Sequence, residues 1–145
     1  MSSIPVNTQS SHPAVGWGRV LRAGLLATVA AILVNIVVYF IASALGAMPQ
    51  DIITPMGQPI NLQAVLTMSV MAGVGATVVY GILTRLTSNP ARWFYIAAAI
   101  VFLFMFFSPF SLPGVTTAQI VALEVMHLTT AIVLVGVLTT QARPE

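Results

Sequence analysis

Four apolar stretches, each long enough to cross a lipid bilayer, limit what this chain can fold into. They lie at residues 23–45, 62–84, 91–108 and 118–140. A helix rises about 1.5 Å per residue, so about 20 apolar residues cross the roughly 30 Å hydrocarbon core. Because backbone polar groups in lipid must be satisfied within the chain, the stretches predict four transmembrane α-helices.

The composition supports a membrane protein and excludes several other classes. Only 6% of the residues are charged and 58% are hydrophobic, whereas a soluble domain carries about 25% charged residues. The absence of cysteine excludes disulfides, thiolate metal sites and cysteine nucleophiles. No basic patch indicates a nucleic acid partner, so the expected partner is the lipid bilayer.

Three of the stretches follow residues that favour helix starts. Asparagine, serine and threonine cap helices by accepting a hydrogen bond from the first turn, and proline favours the first helical position. The predicted caps are Asn61 for the second helix, Asn89 followed by Pro90 for the third, and Thr116 or Thr117 for the fourth.

The short connections between the stretches predict an up-down-up-down antiparallel four-helix bundle. We expect one transmembrane domain at residues 19–140, a flexible cytoplasmic tail at residues 1–18 and a short cytoplasmic tail at residues 141–145. Residues 42–44 are small, as at a signal-peptidase site, but the apolar run before them is longer than the roughly 7 to 15 residues of a signal core. An uncleaved first helix is therefore favoured.

The arginines predict the orientation of the bundle. With four spans they all fall on one side of the membrane, while Asp51 falls on the other. Basic residues are enriched in cytoplasmic flanks, so both termini are expected in the cytoplasm. The five arginines are Arg19, Arg22, Arg85, Arg92 and Arg143.

Small and polar side chains form stripes on the first two helices. Small residues let helix backbones approach closely in lipid. We therefore expect both stripes to face protein, with helix packing inside the chain favoured over a dimer interface. The first stripe comprises Gly24, Thr28, Ala31, Asn35, Tyr39 and Ala42, and the second comprises Ser69, Gly73, Thr77 and Gly81.

An acid and an imidazole lie inside the fourth stretch. Glu124 and His127 are three residues apart, so they share a helix face. The helical rise is counted from the end of the first stretch and from the starts of the second and fourth. By this count Asn35, Tyr39 and Ser69 lie at depths similar to those of Glu124 and His127. These five residues form the predicted site, a buried polar cluster whose protonation states the sequence leaves open.

The cluster is compatible with three roles. In a small non-enzymatic accessory or assembly subunit, the cluster would join helices within the chain. Such a subunit would associate with other membrane protein subunits or with copies of itself as a homo-oligomer. A proton-coupled transporter of a small molecule or ion, working as an oligomer, would use it to relay protons, because ionisable residues inside spans commonly mark function. A membrane protein that handles copper or iron would use His127 together with methionines, here Met68, Met71, Met105 and Met126.

Catalytic and cofactor signatures are weak in this sequence. No Gly-x-Ser-x-Gly or similar nucleophile motif is present, so we predict that the chain is not an enzyme. A di-iron bundle needs two Glu-x-x-His motifs, whereas this chain has one, at Glu124 and His127. We therefore predict no resident cofactor and no metal site.

Several short motifs resemble those of an uncharacterised family. They are the run from Asn35 to Tyr39, the Ser-Pro-Phe run at 108–110, the Met-His-Leu run at 126–128 and the arginine-rich flanks of the middle helices. Over about residues 18–140 the chain is similar to four-helix bacterial membrane proteins classified only as a domain of unknown function. The resemblance implies a multi-pass protein of the bacterial plasma (inner) membrane.

Overall fold

The protein is all-helical in a computed structural model that describes residues 15–48, 53, 57 and 59–142. Four α-helices are long and apolar enough to cross a membrane, which confirms the predicted all-α class with four candidate spans. A short 3-10 helix, Pro109–Ser111, follows the third of them. The four are α1 (Trp17–Ala44), α2 (Leu62–Leu86), α3 (Pro90–Phe107) and α4 (Thr117–Gln141).

Parts of the predicted organisation lie outside the described residues. These are most of the first tail, the last three residues with Arg143, and the loop position of Asp51. The cytoplasmic placement of both termini stays a prediction.

Side-chain caps at the starts of α2, α3 and α4 confirm the predicted caps. In each, a side-chain oxygen accepts a hydrogen bond from the backbone N–H three residues later, over 2.9 Å at Asn61 and 3.2 Å at Asn89 and Thr116. Pro90 takes the first position of α3, where its missing N–H needs no partner. Local sequence therefore sets where these helices begin.

The helices pack as a ring in which α1 contacts α2 and α4 most extensively, and α3 contacts α2 and α4. Gly24 of α1 faces Thr77 of α2, and Thr28 faces Gly73, so these two helices run antiparallel. We call the end of the bundle with Trp17 and Gln141 the terminal end. The opposite end, where α1 stops and α4 starts, is the loop end.

Two apolar clusters fill the bundle. The terminal-end cluster includes Ala27, Ala31, Tyr80 and Leu138, all of them fully covered. The loop-end cluster is built by α1, the following loop, α2 and α4, and it comprises Tyr39, Ala42, Ala47, Met48, Ile60, Val65, Ala122 and Met126. A layer of polar side chains around Asn35 lies between the two clusters.

The interface of α1 and α2 is held by reciprocal glycine and threonine contacts. A Cβ atom on Gly24 would overlap Thr77, and one on Gly73 would overlap Thr28. Each threonine donates to the carbonyl of the glycine four residues earlier on its own helix, over 2.7 Å. The predicted stripe on α1 is confirmed, since apart from half-buried Thr28 its members are buried.

At the terminal end, α1 crosses the last turns of α2. A Cβ atom on Gly81 would overlap the Trp17 ring, and the Arg85 guanidinium carbon lies 5.1 Å from the centroid of that ring. This cation–π contact ties the start of α1 to the end of α2.

Helix α3 is the least covered of the four. Only Pro90 and Phe94 of this helix are buried, and both lie at the terminal end, where Phe94 meets Tyr80 edge to face at 5.1 Å. In its most apolar window 11% of residues are buried, compared with 33% for α2. Helix α3 is therefore attached mainly through its first turns and the 3-10 helix that follows it.

Candidate functional site

Asn35 joins three helices at the polar layer. Its side-chain nitrogen donates to the hydroxyl oxygens of Ser69 on α2, over 2.9 Å, and Thr130 on α4, over 2.8 Å. Its side-chain oxygen accepts a hydrogen bond of 3.3 Å from the Thr129 hydroxyl. Asn35 is 4% exposed, so these bonds satisfy an amide that would otherwise be costly in the membrane.

The hydroxyls of the layer are also bonded within their own helices. Ser69 donates to the Val65 carbonyl oxygen over 2.8 Å, and the single Thr129 hydroxyl proton is shared between the Asn35 oxygen and the nearer Val125 carbonyl oxygen, 2.8 Å away. Such bonds satisfy a hydroxyl without a partner helix. Asn35 is therefore the residue that makes the layer an interhelical contact.

The predicted cluster of five residues is corrected by this arrangement. Asn35 and Ser69 do meet, but α4 reaches them with Thr129 and Thr130, and neither Glu124 nor His127 joins the layer. The prediction assumed that α1 and α4 end level at the loop end. Asn35 lies 9 residues from the end of α1, whereas Thr129 lies 12 residues from the start of α4, an offset of about 4.5 Å.

Tyr39 also departs from the predicted cluster. It lies in the loop-end cluster together with Ala122 and Met126 of α4, and its ring meets Phe40 edge to face at 5.8 Å. The structure therefore uses Tyr39 in apolar packing between α1 and α4.

Glu124 and His127 are half-buried and stand apart from the polar layer. Among the residues that the structure describes, neither carboxyl oxygen of Glu124 nor Nδ1 of His127 has a hydrogen-bond partner, although protein covers all three atoms. The exposed part of Glu124 is consequently its hydrocarbon stem. A covered carboxyl group without a donor is costly in a membrane, and the layer around Asn35 does not satisfy this pair.

A third polar side chain on the loop-end half of α4 is also unsatisfied. Gln119 is 0% exposed, and neither its amide oxygen nor its amide nitrogen has a partner within the described part of the chain. The opposite face of α4 is apolar and exposed, as expected for a face toward lipid, and comprises Val121, Val125, Leu128 and Ile132.

The residues around Glu124 and His127 offer few side chains that could coordinate a metal ion. No group of three or more His, Asp or Glu side chains that could hold a metal ion occurs in the described ranges. Of the methionines considered for copper, Met126 is buried in the loop-end cluster, whereas Met68, Met71 and Met105 are exposed.

A separate pocket of about 330 Å³ lies at the terminal end, where α2 turns into α3. Its polar groups include the Tyr95 hydroxyl, 3.3 Å from that of Thr139, and the Tyr80 hydroxyl, which donates to the Ala142 carbonyl oxygen over 3.3 Å. Its lining residues are Tyr80, Ser88, Asn89, Pro90, Ala91, Tyr95 and Thr139.

Sequence reasoning missed three of the polar residues that matter here. Thr129 and Thr130 form a polar pair inside an apolar helix, which is a usable signal for interhelical bonding. Gln119 lies in the first turn of α4, where a polar side chain is ordinary, and its complete burial has no signature in the sequence.

Comparisons with known proteins agree with the expected family but add no activity. No curated protein and no solved structure gives a match. Residues 15–144 match the group described as a family of unknown function, DUF6069, which confirms the resemblance to an uncharacterised family. This multi-pass membrane protein therefore belongs to the DUF6069 family.

Proposed function

We propose that the protein is a small non-enzymatic subunit that acts by lateral association with another membrane protein or with copies of itself. The supporting observation is the unequal packing of the helices. Asn35 and the reciprocal glycine and threonine contacts fasten α1, α2 and α4, while α3 is buried only at Pro90 and Phe94. Helix α3 thus offers an aromatic face that a partner helix can cover.

The proposed setting is the bacterial plasma membrane with both termini in the cytoplasm. Its support is the placement of four arginines at the terminal end: Arg19 and Arg22 at the start of α1, Arg85 at the end of α2 and Arg92 at the start of α3. Basic flanks favour the cytoplasmic side.

Site-specific photo-crosslinking in the native membrane tests the association. A photoreactive amino acid at Val101 of α3 is expected to yield a protein adduct of one defined mass, because that face meets the partner. The matched control is Val37 of α1, since the two valines are 59% and 57% exposed and lie at similar depths. From Val37 we expect adducts with lipid alone.

The adduct mass separates the two kinds of partner. Twice the mass of the chain indicates a homo-oligomer, and another mass identifies a different subunit, which must give the same adduct when the photoreactive group is placed on it. Equal crosslinking from Val101 and Val37, or lipid adducts from both, would contradict the association.

A second function, proton-coupled transport, is favoured by the unpaired atoms of Glu124 and His127. A polar group inside a span costs free energy. Glu124 and His127 make no hydrogen bond to the layer around Asn35 that would offset this cost. Proton binding gives such a pair a use, because imidazole gains and loses a proton near neutral pH and Glu124 shares a helix face with His127.

Infrared difference spectroscopy on the protein in lipid tests this second function. We expect the Glu124 carboxyl band to change with pH, and the midpoint of that change to move when His127→Ala is introduced, because the two side chains lie on one helix face. Glu124→Gln identifies the band by removing it. A carboxyl band that stays unchanged when the pH is varied around neutrality would rule out proton exchange at the site.

A further inference from the structure

The loop-end half of α4 carries an unusual descending series of unsatisfied polar groups. By helical rise from Thr117, Gln119 lies about 3 Å, Glu124 about 10 Å and His127 about 15 Å along α4. The polar atoms named above for these three side chains are covered yet have no hydrogen-bond partner among the described residues. The series ends one turn before Thr130, counted from the loop end, and the layer around Asn35 begins there.

We infer that water enters the bundle from the loop end, passes Gln119, Glu124 and His127, and stops at the layer around Asn35. Water is the occupant that the chemistry selects, because it both donates to carboxyl and amide oxygens and accepts from an amide nitrogen. Buried water commonly satisfies polar groups that protein leaves unpaired. The inference rests on the second proposed function, for which the water supplies protons to Glu124 and His127.

On the terminal side of the layer, the core of the bundle is closed to water. Ala27, Ala31 and Leu138 of the terminal-end cluster are each 0% exposed, and they present hydrocarbon to one another. A dry, close-packed apolar region gives water no polar partners. The path is therefore a half-channel that leads to one side of the membrane only.

Access to the covered atoms requires local opening, and α3 is the helix least held in place. It is buried only in its first turn and a half, so the stretch between Phe94 and the 3-10 helix has few buried apolar contacts to lose. Segments with few such contacts open at low free energy. In the loop-end half of the four helices, the ionisable side chains are Glu124, His127 and Tyr39 of α1.

Cysteine accessibility tests the path, and the natural chain contains no cysteine to interfere. Three adjacent pairs on α4 compare the proposed path with the lipid face at almost equal depth. Each pair is reacted, in lipid nanodiscs, with a charged thiol reagent that partitions only into water. The path variants are Ile120→Cys, Glu124→Cys and His127→Cys, and their lipid-facing controls are Val121→Cys, Val125→Cys and Leu128→Cys.

We expect each path cysteine to react at least about tenfold faster than its neighbour, because a thiol needs water both to ionise and to meet the reagent. Leu134→Cys, buried in the terminal-end cluster, is expected to stay unreactive. Ile120→Cys keeps both the acid and the imidazole, so its result holds even where the other two variants fold poorly.

Reaction of Ile120→Cys and His127→Cys no faster than their neighbours would overturn the water path. Fast reaction of Leu134→Cys would overturn the half-channel, since water would then cross the layer. The measurement needs no proton transfer, so the path and the transport proposal fail separately: reactive cysteines with an infrared band that ignores pH leave the path standing and remove the transport.

Discussion

Alanine at Gly73 is expected to lower the free energy of unfolding by about 1–3 kcal/mol, whereas alanine at Gly75 leaves it unchanged or raises it slightly. The two glycines lie on the same helix, two residues apart. A Cβ atom at Gly73 would overlap the side chain of Thr28, while one at Gly75 meets nothing within 4 Å. Threonine is β-branched and stiff at χ1, so Thr28 cannot turn aside cheaply.

Helix propensity sharpens this comparison. Replacing glycine by alanine favours a helix by about 1 kcal/mol, and that gain is common to both variants. A difference in sign between them therefore isolates the contact between α1 and α2. Unfolding by titration with denaturing detergent measures the free energies. Tryptophan fluorescence reports the separation of the helices, because Trp17 lies over Gly81 at this same interface.

A double variant locates the cause. Adding Thr28→Gly to Gly73→Ala removes the side chain that is overlapped, so the loss from Gly73→Ala is expected to be much smaller in that background. Equal effects at Gly73 and Gly75, or no coupling between Gly73→Ala and Thr28→Gly, would show that α1 and α2 do not meet as closely as the structure has them.

The helices and their close contacts were largely predictable because they follow from local chemistry. Long apolar runs specify helices in lipid, and the capping residues Asn61, Asn89 and Thr116 specify three of the starts. The stripe through Gly24 and Asn35 was predictable from a period of 3.6 residues, since small and polar side chains avoid lipid. Each of these inferences needs only one helix at a time.

The site was less predictable because it depends on how two helices align. The offset of about one turn between α1 and α4 replaces Glu124 and His127 with Thr129 and Thr130 opposite Asn35. Such an offset is set by the loop-end cluster and the loop lengths, which no single helix encodes. The weak attachment of α3 was hidden for the same reason, since its apolar sequence is equally suited to lipid and to protein.

Leucine at Asn35 is expected to lower the free energy of unfolding by about 1–3 kcal/mol, because it removes the side-chain bonds to Ser69, Thr129 and Thr130. Interhelical hydrogen bonds in membrane proteins contribute on average about 0.6 kcal/mol each and at most about 1.7. We expect the loss of free energy of unfolding to stay within this range, because Ser69 and Thr129 keep bonds of 2.8 Å to carbonyl oxygens of their own helices.

A double-mutant cycle separates the hydrogen bond from the change in shape. Ser69→Ala alone removes the partner on α2, and Asn35→Leu with Ser69→Ala removes both, so a coupling free energy of about 0.5–1.5 kcal/mol is expected from the 2.9 Å bond. Thr67→Ala, on the exposed side of α2, is the matched control and is expected to show no coupling to Asn35→Leu. If Asn35→Leu stabilises the protein, lipophilicity outweighs the amide's hydrogen bonds, and the layer does not fix the alignment of α1 with α2 and α4.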